Sequence, residues 1–321
     1  MDNTLNNVVS KLDVCQFIDK VVKGELFGHP INGDEFSLTV DDCSVGVPVK
    51  VLSFPTKMEG MKVVLFFHGA IDQEKRQIPI FYGDQTAKRH FSNTFVLSIS
   101  DPSLRLDKKI FSAFYAGDYE VPTHRIIAVL SRALRMVFPV NRFVFVGASS
   151  GAHPALYHSF GIEDSVCLVC NPILIMRSYW EKMVDVYVEK AWPSKSKHEV
   201  FGEIVHDDLV GLYANPSRNT VVITQNATDP YLVSMTGKLI SSFPSNKNLL
   251  FISEYFSAQI GHSYPSNRFW DSVTAVVNAL TNGVGDIATL LCPQADCKFQ
   301  KPNDAASIHD LKIAKLLASQ P

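Results

Sequence analysis

Phe143-Val-Phe-Val-Gly147-Ala-Ser149-Ser-Gly151-Ala-His-Pro-Ala-Leu-Tyr157 decides the reading of this chain. An apolar strand runs directly into Gly-x-Ser-x-Gly, and a helix-forming segment follows without a gap. A sharp strand-to-helix turn of this kind lifts a serine hydroxyl clear of a sheet, in front of the positive end of a helix. The two glycines have a mechanical reason: without a Cβ the turn can close and the helix can lie tight behind the strand. The same five residues would also suit a plain turn before an ordinary helix, so the rest of the chain has to discriminate.

Three further segments do so. Upstream, Met61-Lys-Val-Val-Leu-Phe-Phe67 has the pattern of a buried strand and ends in His68-Gly69-Ala70. Downstream, Thr220-Val-Val-Ile-Thr-Gln225 is followed by the polar turn Asn226-Ala-Thr-Asp229-Pro230. Asn248-Leu-Leu-Phe-Ile-Ser253 comes next, and then the loop Gly261-His262-Ser263. An oxyanion loop, a nucleophile, an acid and a histidine therefore occur in that order, each just past an apolar run. On these residues the chain resembles the α/β-hydrolase superfamily, over roughly residues 45–282. The resemblance implies an α/β fold: a mostly parallel central sheet covered by helices on both faces, with a cap-like insertion.

The same four segments nominate the site. Ser149 is the candidate nucleophile, and a serine hydroxyl needs an adjacent base to take its proton. His262 follows the last core strand and suits that role. His68 belongs to the oxyanion strand, His153 to the helix behind the nucleophile, and the remaining histidines fall outside matching positions. Asp229 is the candidate acid that would hold the imidazole tautomer, with Glu254 after the next strand as its rival. The backbone N–H groups of Ser150 and Ala70 are the candidate oxyanion donors. Here the chain has His-Gly-Ala-Ile-Asp in place of the lipase-type His-Gly-Gly-Gly, which speaks against lipase-like substrates.

Periodicity fills in the architecture. Residues 62–67, 94–99, 142–146, 165–170, 220–225 and 248–253 are short continuous apolar runs, as in a parallel sheet buried on both faces. Helical patterns at 122–138, 150–160, 232–242 and 267–281 alternate with them. Residues 35–40 and 47–54 alternate like antiparallel edge strands. The expected organisation is an N-terminal helical extension over 1–34, with a helix at 4–23, and a hydrolase-type domain over 35–291. A cap-like insertion at about 172–219 and a C-terminal loop and helix over 292–321 complete it. Of the insertion's aromatics, Tyr179, Trp180, Tyr187, Trp192 and Tyr213, most are expected to pack against the body and one or two to line a cleft.

Composition bounds the rest. The 321 residues are 46% hydrophobic and 19% charged, with a formal net charge of −2. That balance gives no electrostatic reason to expect nucleic acid or an anionic membrane as partner. No apolar run reaches the ~18–20 residues of a membrane span. No secretory signal is visible, so a cytoplasmic location is expected. Cys167 and Cys170 should point to opposite faces of a strand and cannot easily share a metal. Cys292 and Cys297 have the spacing to pair, and Cys15 and Cys43 stand alone. No cofactor or metal site is expected, and nothing in the chain specifies an oligomeric state.

The expected activity is serine-dependent acyl transfer, an esterase or deacylase acting on a small-molecule or glycan ester. The alternatives are an O-acyltransferase on a cell-surface polysaccharide and a non-catalytic binding protein that kept the fold. The Gly-x-Ser-Ser-Gly elbow, the late Asp and His, Ser98-Ile-Ser-Asp101-Pro-Ser-Leu and Phe114-Tyr-Ala-Gly117-Asp118 carry a second resemblance. They are similar to hydrolase-fold proteins of bacterial surface polysaccharide pathways, capsule O-acetyltransferases and accessory secretion proteins among them.

Overall fold

A computed structural model describes residues 10–23, 34–41, 43–55, 57, 59–138, 142–243, 248–255, 260–279 and 284–291. Its strands are β1 (Ser10–Asp13), β2 (Glu35–Thr39), β3 (Val47–Ser53), β4 (Lys62–Phe67), β5 (Thr94–Ile99), β6 (Phe143–Ala148), β7 (Val166–Cys170), β8 (Thr220–Asn226) and β9 (Leu249–Glu254). They form one sheet in the order β1-β2-β3-β5-β4-β6-β7-β8-β9. From β5 through β9 every neighbour is parallel, whereas β3 runs antiparallel to both β2 and β5.

Burial follows that topology. Every residue of β4 through β8 is buried, because helices cover both faces of these strands. β3 alternates between buried and half-buried positions, and β9, at the edge, is mostly half-buried. One face carries Val63, Leu65, Phe145 and Val169 against the helices Val14–Val22, Thr123–Val137 and Ala152–Phe160. The other carries Val64, Phe66, Val146 and Leu168 against the helices Asp84–His90, Asn267–Asn278 and Val284–Leu291. Cys167 lies on the first face and Cys170 on the second, as strand alternation requires. Cys15 is exposed.

The N-terminal segment departs from the expected helix over 4–23. Ser10–Asp13 pairs with β2 as a parallel edge strand, and the helix begins only at Val14. Asp13 sets that boundary: its carboxylate accepts the Cys15 N–H at 2.7 Å, and its own N–H donates to Gln16 Oε1 at 3.1 Å. This reciprocal cap fixes where helical geometry starts, and the residues before it join the sheet. Residues 10–23 thus belong to the sheet and its covering layer. Residues 1–9, the expected helix at 305–317 and the Cys292/Cys297 pair lie outside the described residues.

The segment between β7 and β8 holds a short 3₁₀ turn (Met176–Ser178) and the helices Glu181–Ala191 and Leu209–Tyr213. Val184, Tyr187, Val188 and Tyr213 bury into the main core. Arg177 grips buried Asp207 through two nitrogens and reaches the Phe201 carbonyl, and Met176 N–H donates to Asp207 O at 3.0 Å. These bonds close the base of the segment into a rigid loop. No helix among the described residues is long and apolar enough to cross a membrane.

Candidate active site

Gly147, Ala148 and Ser149 form the turn that the sequence motif requires. Ser149 has φ +53, left-handed backbone that a non-glycine residue adopts only when its surroundings over-determine it. The surroundings here are steric. A Cβ on Gly147 would run into the Gly151 carbonyl, and one on Gly151 would run into the His68 carbonyl. The Ile173 N–H adds a tie to the Ser149 carbonyl at 3.2 Å. A 3₁₀ turn over Ser149–Gly151 then leads into the helix Ala152–Phe160.

Ser149, His262 and Asp229 meet above the carboxyl ends of β6, β8 and β9. Ser149 Oγ is 2.7 Å from His262 Nε2, and His262 Nδ1 is 2.8 Å from Asp229 Oδ2. The Asp229 side chain is fully buried and that of His262 is 11% exposed. The remaining Asp229 oxygen, Oδ1, accepts the Tyr231 N–H at 2.8 Å. Glu254 is turned away from this group: it pairs with Arg268 Nε at 3.0 Å and accepts from Ser266 Oγ at 3.2 Å. Asp207 is spent on Arg177, and Asp208 caps the helix Leu209–Tyr213.

Sequence reasoning missed the residues that hold the histidine loop. Asn226 Nδ2 donates to the Gly261 carbonyl at 2.9 Å and to Ser263 Oγ at 3.2 Å. Asn171 Nδ2 donates to the Ser263 carbonyl at 2.9 Å, and its Oδ1 accepts the Asn226 N–H at 2.7 Å. The Gly261 N–H donates to Thr228 Oγ1 at 2.9 Å. His262 is thereby clamped through both flanking residues. Two asparagines just past β7 and at the end of β8 were the only available signal, and Asn is also an ordinary turn residue.

The His68-Gly69-Ala70 turn runs against Ala148 and Ser149. A Cβ on Gly69 would lie 3.0 Å from the Ala148 carbonyl oxygen and 3.4 Å from Ser149 Cβ. The Ile71 N–H is committed to the Phe111 carbonyl at 2.7 Å. Ser150, buried, opens the first turn of the helix, where N–H groups lack intrahelical acceptors. His68 itself is a strut. Its Nε2 accepts the Asp101 N–H at 3.1 Å, which leaves Nδ1 to donate to the Gly69 carbonyl at 2.7 Å. Burial holds the ring neutral by pushing its pKa down to about 4. The Tyr115 hydroxyl accepts the His68 N–H and donates to the Ile99 carbonyl, while the Tyr115 N–H donates to Asp101 Oδ2 at 2.7 Å. Burial raises the Asp101 carboxyl to about 6. The two segments Ser98–Leu104 and Phe114–Asp118 meet here and again where Ser103 Oγ donates to Asp118, which the neighbouring Arg105 also binds.

Aromatic rings wall the histidine. Tyr231 lies edge-on to the imidazole at 5.4 Å between centroids and Tyr179 at 6.4 Å. Trp180 stacks on Tyr179 at 5.2 Å and 14° and is 52% exposed. Tyr187 and Tyr213 are core residues, and the Tyr187 hydroxyl donates to the Gly117 carbonyl and accepts from Trp192 Nε1. A cavity of about 120 Å³ lies beside the nucleophile helix, lined by His124, His153, His158, Phe114 and Tyr157 among others. Ser149 and His262 are not in its wall.

No protein-family model matches the chain, and no curated protein sequence matches it either. Solved structures do. The capsule O-acetyltransferase of Neisseria meningitidis serogroup A is similar at TM-score 0.57 and 12% identity, over 79% of this chain and 97% of that one. FphF, a fluorophosphonate-binding serine hydrolase of Staphylococcus aureus, is similar at TM-score 0.50 and 14% identity, over 81% and 98%. The glycosylation-associated Gap123 complex of Streptococcus agalactiae contains a chain similar at TM-score 0.52 and 15% identity, over 76% of this chain and 45% of that one. Together with the sheet order and the strand-to-helix turn at Ser149, these likenesses show that the chain has the α/β-hydrolase fold.

Proposed function

We propose that the protein is a serine-dependent acyl-transfer enzyme with Ser149, His262 and Asp229 as its triad, acting first as an esterase or deacylase. The observation that carries this reading is the continuous chain of contacts from Ser149 Oγ through both imidazole nitrogens to buried Asp229. His262 Nε2 takes the Ser149 proton as Oγ attacks the ester carbonyl. Asp229 fixes the tautomer and offsets the imidazolium charge. The tetrahedral oxyanion falls to the N–H groups of Ser150 and Ala70. Collapse expels the alcohol, which takes the proton from His262 and leaves an acyl-serine. Attack by a second hydroxyl, that of water or of an acceptor, returns the proton to Ser149 and releases the acyl product.

The acceptor distinguishes two forms of the enzyme. Trp180, stacked on Tyr179 through one face and half exposed, offers an aromatic surface to the C–H face of a sugar ring, and a sugar hydroxyl in place of water makes the enzyme an O-acyltransferase. The similar capsule O-acetyltransferase accords with that second form. A fluorophosphonate probe is expected to label the wild type and not Ser149→Ala, and p-nitrophenyl acetate turnover is expected to disappear with the same change. An unlabelled, inactive wild type would leave the non-catalytic reading in place. Release of free acetate against acylation of added glycan separates the esterase from the transferase.

A further inference from the structure

We infer that the insertion supplies a fourth catalytic group: the Tyr179 hydroxyl donates a hydrogen bond to the ester's alkoxy oxygen as that oxygen exchanges its proton with His262. The inference rests on the acyl-serine reading above. Tyr179 is 5% exposed and wedged among four rings, Phe114 at 5.7 Å, Trp180 at 5.2 Å, Tyr231 at 5.7 Å and His262 at 6.4 Å. Its backbone leaves the short turn that Arg177 and Asp207 lock in place, so the ring has little freedom. Its hydroxyl lies near enough to the Ser149 side chain for the two to interact electrostatically.

That placement specifies the role. The oxyanion lies toward the His68-Gly69-Ala70 turn and the N–H of Ser150, whereas Tyr179 stands on the imidazole side with Tyr231. A buried hydroxyl near Ser149 and edge-on to the His262 ring is placed to meet the departing alkoxy oxygen, and later the entering hydroxyl, rather than the carbonyl oxygen. Burial pushes the phenol up to about 12, so it stays protonated and able to donate throughout the neutral range. No proton leaves Tyr179: His262 alone transfers it, and the phenol stabilises charge on the alkoxy oxygen while the C–O bond breaks.

The dependence on leaving group tests this. Tyr179→Phe keeps the ring and its packing and removes only the hydroxyl. A poor leaving group needs the hydrogen bond, and p-nitrophenolate does not. On ethyl acetate kcat/KM, which reports the acylation step in which the alcohol leaves, should fall about tenfold or more, the order of one good hydrogen bond. On p-nitrophenyl acetate the fall in kcat/KM should stay under about twofold, with Tm and fluorophosphonate labelling of Ser149 retained. Equal losses on both esters, or none on either, with labelling intact, would overturn the role of Tyr179 and leave the triad standing. A wild type that the probe does not label would overturn both.

Discussion

The turn at Ser149 and the loop at His262 face each other across 2.7 Å, yet they are held by opposite physics. The turn at Ser149 is fixed by exclusion: backbone carbonyls occupy the space that a Cβ on Gly147 or Gly151 would need. The loop at His262 is fixed by attraction, through side-chain hydrogen bonds from Asn171, Asn226 and Thr228. The first arrangement is part of the core packing, so it has no alternative that keeps the fold. The second sits at the half-buried sheet edge beyond β9 and can loosen without unfolding the molecule. Changes at the turn should therefore damage fold and activity together, and changes at the loop activity alone.

The largest expected effect sharpens that division. His262→Ala should reduce kcat/KM by on the order of 10⁴–10⁶, as losses of a triad member do, while thermal unfolding stays within a few degrees of wild type. A large fall in Tm would show that the loop is structural after all. Asn226→Ala comes next. It releases Gly261 O and Ser263 Oγ, and a misplaced imidazole should lower kcat by about 10²-fold. Steady-state kinetics showing a loss below threefold would break the account of the clamp.

At the turn, Gly151→Ala should lower stability by about 3 kcal/mol or more, because a rigid carbonyl blocks the added methyl. Urea unfolding measures it, and a variant as stable as wild type would refute the exclusion argument. The interior behind the turn also has a pH signature. Burial lowers His68 and His153 to about 4 and His158 to about 3, against 6.5 when unfolded. The unfolded chain then binds more protons than the fold between those values, so stability should fall as pH drops from 6.5 toward 4. Asp101, raised to about 6, acts in the opposite sense over 4 to 6, but it is one group against three. Denaturation at pH 7 and pH 4.5 should differ by several kcal/mol, on the order of 2 per histidine. Smallest of all, Glu254→Gln should change kcat less than about twofold, since its bonds go to Arg268 and Ser266; a triad acid would cost about 10⁴-fold.

Much of this molecule was legible in the chain. Strands β4 and β5 have the bounds that their apolar runs suggest, because a strand buried on both faces must be apolar throughout. The convergence of Ser149, Asp229 and His262 was legible through their positions after β6, β8 and β9. The start of the first helix was not, since Asp13 overrides an apolar pattern that continues through it. Asn171, Asn226 and Tyr179 were not legible as parts of one site, and His68 was placed on the right strand without its bracing role.

The sequence by itself determined the parallel sheet, the sharp turn at Ser149 and the order of the candidate site residues. Each follows from local sterics or from a periodicity that any stretch of chain displays. Only the tertiary structure decided that Asp229 rather than Glu254 faces the imidazole and that asparagines far apart in sequence clamp its loop. Only it brought an insertion tyrosine against the His262 ring. A side chain's partner is set by where distant backbones cross, and that information is carried by the packing as a whole.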